Sequence, residues 1–140
     1  MKKEKINYFI VEIELYSTDL LVVVGDIEGA IKWLDNKNVS EDDIEFVKSS
    51  CNTGSQGTTC LLSNNALFIR LIHSPTTHEY KGILAHEVFH ATSILLRSRG
   101  MSLVKESEEA YAYLLEFIYR DRRIEDKMIY LHVFALNYSK

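Results

Sequence analysis

The chain has 140 residues, of which 46% are apolar and 26% are charged, with a single proline. A chain of this length usually folds as one domain and buries about 68 to 70% of its unfolded surface, so it needs no metal or disulfide merely to fold. With 16 basic and 20 acidic residues the net charge is -4, which excludes the basic excess typical of nucleic-acid binding. We therefore expect one domain over residues 1–140 without a nucleic-acid partner.

The chain lacks the patterns of secretion and of membrane spans. Glu12 and Glu14 interrupt the apolar stretch near the N-terminus, which a signal peptide would keep uncharged. The longest uncharged apolar run, Leu20 to Gly25, is far shorter than the about 20 residues of a spanning helix. We expect a cytoplasmic protein without a membrane partner.

The first half of the chain predicts two strands and two short helices. The runs Tyr8 to Leu15 and Leu20 to Val24 are rich in β-branched and aromatic residues and are separated by a polar turn. Asp26 and Ser40 are suitable N-caps for the two helices. The segment 51–60 concentrates glycine, serine and threonine, which predicts a flexible loop.

The second half predicts one strand followed by helices. The apolar run Ala66 to Ile72 lies between polar residues, as expected of a buried or edge strand. Thr76 and Glu79 form a capping box, so a helix should begin near Thr77 and end before Gly100. Its apolar residues occupy most sides, which predicts a central and largely buried helix.

Two further helices are predicted towards the C-terminus. One should start between Ser102 and Ser107, and the spacing of Ile124, Met128 and Leu131 indicates another. The order of strands and helices favours a small α+β domain.

An HExxH sequence, HEVFH, lies inside the predicted central helix. Helical residues four apart have Cβ atoms about 5 to 6 Å from each other, so His86 and His90 can bind one ion at zinc–nitrogen distances of about 2.0 to 2.1 Å. Glu87, the next residue along the helix, would lie beside such an ion and could reach a water bound to it without being a ligand. Three ionisable residues in a buried helix would be costly unless paired or metal-bound. In the alternative reading, both histidines are neutral and hydrogen-bonded in the core, and Glu87 pairs with an arginine.

A catalytic zinc usually has a third protein ligand besides water. Glu108 and Glu109 lie on the next predicted helix. The first helix runs about 15 Å from His90 to Gly100, a distance that the following residues can span on their return. An antiparallel helix pair would bring either glutamate to the metal, and this geometry does not choose between them.

HEVFH followed by EAYAY resembles the gluzincin zinc metallopeptidases, and the layout is similar to that of minigluzincins and short phage-encoded zincin-like proteins. The resemblance covers roughly Ala66 to Tyr119. It puts Glu109 in the ligand position, because Glu108 would place Tyr111 where a small residue belongs. The implied fold is a zincin-like domain, in which a short mixed sheet packs on the active-site helix and a glutamate-bearing helix follows.

The function implied by this resemblance is that of a zinc-dependent metallopeptidase. His86, His90 and Glu109 would hold Zn²⁺, and Glu87 would be the general base. A peptide or protein substrate would pair with the Ala66 to Ile72 strand. The alternative is a catalytically weak or inactive zincin-like domain that acts as a peptide-binding or regulatory module.

Other residues with chemical potential have open roles. Larger gluzincins use a histidine or tyrosine to stabilise the oxyanion, for which Tyr111 and Tyr113 are candidates here. The remaining histidines, His73, His78 and His132, are not assigned to the metal.

Two cysteines are too few for a disulfide framework. Cys51 and Cys60 are expected to be ordinary thiols in a reducing compartment. The alternatives are a disulfide that closes the loop between them and a thiolate that blocks the zinc in a latent state.

Overall fold

The computed structural model describes residues 7–51 and 54–120. Its strands are β1 (Asn7–Ile13), β2 (Thr18–Val24), β3 (Gly57–Leu61) and β4 (Leu67–Leu71). They form a sheet in the order β1-β2-β4-β3, in which β2 and β4 are parallel and the other neighbours are antiparallel. This mixed sheet therefore pairs β4 on both sides and leaves β3 at an edge.

Helices flank the sheet. They are α1 (Ile27–Asn36), α2 (Glu41–Cys51), α3 (His78–Ser98) and α4 (Glu108–Tyr119). Short 3-10 helices at Glu14–Tyr16 and Lys105–Ser107 connect β1 to β2 and precede α4. The helices and the mixed sheet agree with the predicted α+β class, whereas the helix predicted beyond residue 123 lies outside the described residues.

Local capping signals start the helices. Side chains of Asp26 and Ser40 accept main-chain hydrogen bonds at the starts of α1 and α2, as predicted. At α3, however, the N-cap is Thr77, whose Oγ1 accepts from the Tyr80 nitrogen at 3.2 Å. The predicted cap at Thr76 is thus one residue early, because Thr77 has the extended backbone that an N-cap requires.

The predicted flexible loop at 51–60 is wrong in its second half, which contains β3. The loop is predicted because the segment is rich in glycine, serine and threonine. Thr58 and Thr59 are β-branched, however, and such residues suit a strand that has a partner. Pairing with β4 supplies that partner, from Gly57 opposite Leu71 to Leu61 opposite Leu67. A long-range contact therefore decides the conformation of this segment.

The sheet is covered on both faces. Alternate residues along β2 and β4 pack with α3 and α4 on one side and with α1 and α2 on the other. On the first side the buried hydrophobic helix residues are Leu84, Val88, Ala91, Leu95, Leu96, Tyr111, Leu114 and Ile118. The site described below lies on this side, where α3 meets β3.

The helix α3 is less buried than its composition predicts. Leu84 and Val88 lie against the sheet, whereas Phe89 is 44% exposed and Ala85 is also exposed. Among the residues that the structure describes, one layer of helices covers this face of the sheet, and the outer side of α3 is exposed. In the described part of the chain, no helix is long and apolar enough to cross a membrane.

Candidate active site

The two histidines of the HExxH sequence meet on the exposed side of α3. His86 Nε2 and His90 Nε2 are 3.0 Å apart, so that one ring N–H donates to the other nitrogen. One zinc ion with bonds of about 2.0 to 2.1 Å could contact both nitrogens across this separation. Helix geometry therefore brings two of the predicted ligands together.

Glu87 lies on a different side of the helix, against β3. It is 6% exposed, and its Oε2 accepts a hydrogen bond from Thr59 Oγ1 at 2.5 Å. The same hydroxyl lies 3.2 Å from the main-chain oxygen of Glu87. Since a hydroxyl has one hydrogen, it can donate to only one of these oxygens at a time.

The alternative in which both histidines are buried in the core is wrong. His86 and His90 are exposed, so the desolvation argument made for three buried ionisable residues applies to Glu87 alone. Within residues 7–51 and 54–120, Glu87 forms no ion pair with an arginine either. Its buried carboxyl group is paired with the Thr59 hydroxyl instead.

The backbone of β3 approaches Glu87 closely. A Cβ atom added to Gly57 would lie 2.8 Å from Glu87 Cγ and 3.0 Å from its Oε1. Such distances are too short for non-bonded carbon and oxygen atoms, so any other residue at this position would displace the glutamate. Gly57 is therefore the residue that lets the strand close over Glu87.

An open cleft of about 460 Å³ lies between the start of β3 and the first turns of α3. His86 and Glu87 both line it, together with Gly57 and Gly82. Ser55 Oγ donates to the Gly57 carbonyl oxygen at 2.9 Å and so supports the β3 wall. The cleft thus gives a molecule from solvent access to a histidine and to the buried carboxylate.

The third predicted ligand is not assembled with the two histidines. Glu109 and Glu108 are exposed in the first turn of α4. Across the described residues, no three His, Cys, Asp or Glu side chains lie close enough to hold a metal ion. His86 and His90 fit zinc as donors, whereas the structure does not place Glu109 in a three-ligand group with them.

Neither tyrosine considered for oxyanion stabilisation lines the cleft. Tyr111 is buried, and its hydroxyl donates to the Met101 carbonyl oxygen at 2.8 Å. Tyr113 is 67% exposed and lines a separate apolar groove between α4 and the Glu14–Tyr16 helix. His73 and His78 are exposed, and His132 lies outside the described residues.

The two cysteines are free and buried. Cys51 and Cys60 pack with α1 and α2, on the opposite face of the sheet from α3. Burial raises the pKa of the Cys60 thiol, which disfavours a thiolate. Since both cysteines are free, the loop-closing disulfide is not formed. Neither thiol can block a zinc ion at His86 and His90, because the sheet lies between them and α3.

Sequence reasoning misses Gly57 and Thr59, because both fall in the segment interpreted as a loop. The run from Thr58 to Leu62 consists of residues that suit a β-strand and could have indicated one. The run is short and follows a stretch with glycine and serine, so the whole segment is interpreted as a loop.

Comparison with known proteins gives no match to a protein-family model, a curated protein or a solved structure. The gluzincin resemblance therefore depends on the HEVFH and EAYAY sequences and on their positions in α3 and α4.

Proposed function

We propose that this chain is a cytoplasmic, zincin-like zinc metallopeptidase that hydrolyses peptide bonds with Glu87 as general base. The main support is the separation of 3.0 Å between His86 Nε2 and His90 Nε2, next to a carboxylate that shares a cleft with His86. Imidazole and carboxylate groups together suit zinc. Free thiols at both cysteines are consistent with a reducing compartment.

Zinc would be held by His86, His90 and Glu109. The first two need little movement, whereas Glu109 would have to join them when the metal binds. Its side chain is exposed in the first turn of α4, and exposed side chains change rotamer within picoseconds to nanoseconds. When bound, zinc would act as a Lewis acid and make a water molecule nucleophilic near neutral pH.

Glu87 would accept the proton of the attacking water and pass it to the leaving amine. Its Oε2 is occupied by the hydrogen bond from Thr59, which leaves Oε1 for the transferred proton. Because the rest of the residue is buried, the carboxylate can act only towards the cleft.

The peptide-binding strand in this proposal is β3, not the predicted Ala66 to Ile72 strand. The residues of β4 are paired with β2 on one side and with β3 on the other, so β4 has no edge to offer. In the described sheet, β3 has a neighbour on one side only, and its first residue, Gly57, lines the cleft. An extended peptide could therefore add to β3 through main-chain hydrogen bonds.

The first test is zinc-dependent cleavage by the full chain and by Glu87→Gln. The wild-type chain should carry one equivalent of zinc by mass spectrometry and cleave casein or a peptide library until a chelator is added. Glu87→Gln should keep its zinc and lose about 10² to 10⁴-fold in kcat, which is the usual contribution of general acid–base catalysis.

Glu79→Gln is the matched control, since Glu79 is an exposed glutamate that lines the same cleft on the same helix. It should retain most of the activity. Cleavage by Glu87→Gln at the wild-type rate, with normal zinc content, would contradict the mechanism.

A second function, that of a catalytically weak or inactive domain which binds peptides, is favoured by one observation. Among the described residues, no third metal-binding side chain lies with His86 and His90. Peptide binding at the β3 edge does not require a complete metal site. One equivalent of bound zinc, or none, together with peptide binding and no cleavage would favour this function over the peptidase.

A further inference from the structure

Two residues on the side of β3 that faces α3 lie next to the same side chain, that of Glu87. Gly57 and Thr59 are two residues apart on the strand, so they lie on the same face. Thr59 contacts Glu87 through its hydroxyl group, and a Cβ atom at Gly57 would collide with the Glu87 side chain. The residue between them, Thr58, lies on the other face and contacts the Ser55 hydroxyl at 3.2 Å.

These contacts restrict the Glu87 carboxyl group from two directions. The Thr59 hydroxyl fixes the position of Oε2, and the absence of a side chain at Gly57 leaves the space beside Cγ and Oε1 that a Cβ atom would fill. A glutamate side chain has three rotatable bonds, and fixing them in advance removes an entropy cost from the reacting complex. The strand therefore selects one conformation of the carboxylate.

We propose that Thr59 and Gly57 are positioning residues for Glu87: Thr59 orients its carboxylate by a hydrogen bond, and Gly57 leaves the space that this orientation needs. The inference rests on the proposed function for its kinetic consequence. The placement of the carboxylate itself can be measured without any activity.

Thr59→Val removes the hydroxyl group and keeps the shape of the side chain, whereas Thr59→Ser keeps the hydroxyl group. Thr58→Val is the matched control, because it makes the same change one residue away on the opposite face of β3. All three variants are made in the full chain, and circular dichroism and thermal unfolding check that each one folds.

The first measurement is the ¹³C chemical shift of the Glu87 carboxyl carbon, assigned by its loss in Glu87→Gln. Thr59→Val should move this resonance, and Thr59→Ser and Thr58→Val should leave it close to its wild-type position. An unmoved resonance in Thr59→Val would overturn the proposal, since the hydroxyl group would then have no influence on the carboxylate.

The second measurement is kcat and KM of the zinc-loaded chain. Thr59→Val should lower kcat by about tenfold to 100-fold, the upper value being the cost of misplacing a reacting group by about 1 Å. KM and zinc content should stay close to wild type, and Thr59→Ser should restore most of kcat. Equal losses in Thr59→Val and Thr59→Ser would show that the hydroxyl group is not the cause and would overturn the kinetic role.

Gly57→Ala provides an independent test of the space beside Glu87. The added methyl group should displace the carboxylate, move the same resonance and lower kcat while zinc remains bound. If the wild-type chain binds zinc but cleaves no peptide, the proposed function fails, and the carboxyl resonance alone then decides whether Thr59 and Gly57 hold Glu87.

Discussion

Asp43 shows how a single buried carboxylate joins distant parts of the chain. It lies in the first turn of α2 and is 8% exposed. The Ser63 nitrogen donates to Asp43 Oδ1 at 3.0 Å, and the Ser63 hydroxyl donates to Oδ2 at 2.7 Å. The carboxylate thereby fixes α2 to the turn between β3 and β4.

Burial by itself raises the pKa of Asp43, but the hydrogen bonds from Ser63, together with one involving Ser40, outweigh it and lower the pKa below its ordinary value. A lowered pKa in the folded state stabilises the fold above the pKa of the unfolded chain. This contribution is lost as the pH falls through the lower, folded-state pKa.

Asp43→Asn should therefore destabilise the chain by about 1.5 to 3 kcal/mol at pH 7, the range for a hydrogen bond to a charged group. The difference from wild type should begin to shrink as the pH falls below 3.8, the ordinary pKa of an aspartate, and it should disappear as the pH falls through the lower pKa of folded Asp43. Urea unfolding across this pH range measures both effects, with the exposed Asp42→Asn as control. A difference that does not depend on pH would contradict the assigned role of the charge.

At the scale of elements, α3 combines a regular helix with a gap at the cleft. Gly82 lies within α3 although glycine is a poor helix former, and an added Cβ atom would meet no other atom within 4 Å. Gly82 lines the cleft, so a methyl group added there would project into it. The glycine thus lowers the stability of α3 and leaves the cleft wider than a residue with a side chain would.

Gly82→Ala should raise the free energy of unfolding by about 0.5 to 1 kcal/mol, because alanine is the better helix former. If peptides bind in the cleft, the added methyl group should also raise KM. Thermal or urea unfolding gives the first value, and steady-state cleavage rates at increasing peptide concentration give the second.

Gly100→Ala is the matched control for this change. Its added Cβ atom would also meet open space, but its φ of +80° disfavours any residue with a side chain. Gly100→Ala should therefore lose stability where Gly82→Ala gains it. The same sign for both variants would show that backbone conformation does not decide the outcome.

At the scale of the whole molecule, the proposed zinc site depends on how α3 and α4 pack. The two helices share a buried cluster that includes Leu95, Tyr111 and Leu114. This packing fixes the position of α4, yet it leaves Glu109 exposed at the start of the helix. Completion of a three-ligand site would therefore depend on a movement of Glu109 towards His86 and His90, and zinc binding should stabilise the folded chain.

Zinc should raise the free energy of unfolding by about 2.7 kcal/mol when its free concentration is 100 times its Kd. His86→Ala and His90→Ala should abolish this gain, and so should Glu109→Gln if it supplies the third ligand. Chelator-treated protein titrated with zinc in a thermal-shift assay makes the comparison.

The controls for zinc binding are close in sequence and also exposed: His78→Ala on α3 and Glu108→Gln beside Glu109. Both should keep the full stabilisation by zinc. Loss of the gain in Glu108→Gln instead of Glu109→Gln would move the third ligand by one residue.

Much of this protein is determined by local sequence. The caps of α1 and α2, the apolar spacing of α3 and the closeness of His86 to His90 depend on residues a few positions apart, so the sequence alone predicted them, although it put the cap of α3 one residue early. The two predicted N-terminal strands are confirmed as the antiparallel pair β1 and β2, since they are neighbours in the chain, but their connection lies at Glu14–Tyr16, before the predicted polar turn.

Tertiary structure decided what depends on distant partners. Thr59 became part of a strand by pairing with β4, and Glu87 became buried because that strand lies against α3. The same packing left His86 and Phe89 in solvent on a helix whose composition predicted burial. Periodicity records which residues share a face of a helix, but only the arrangement of the other elements determines which face is covered.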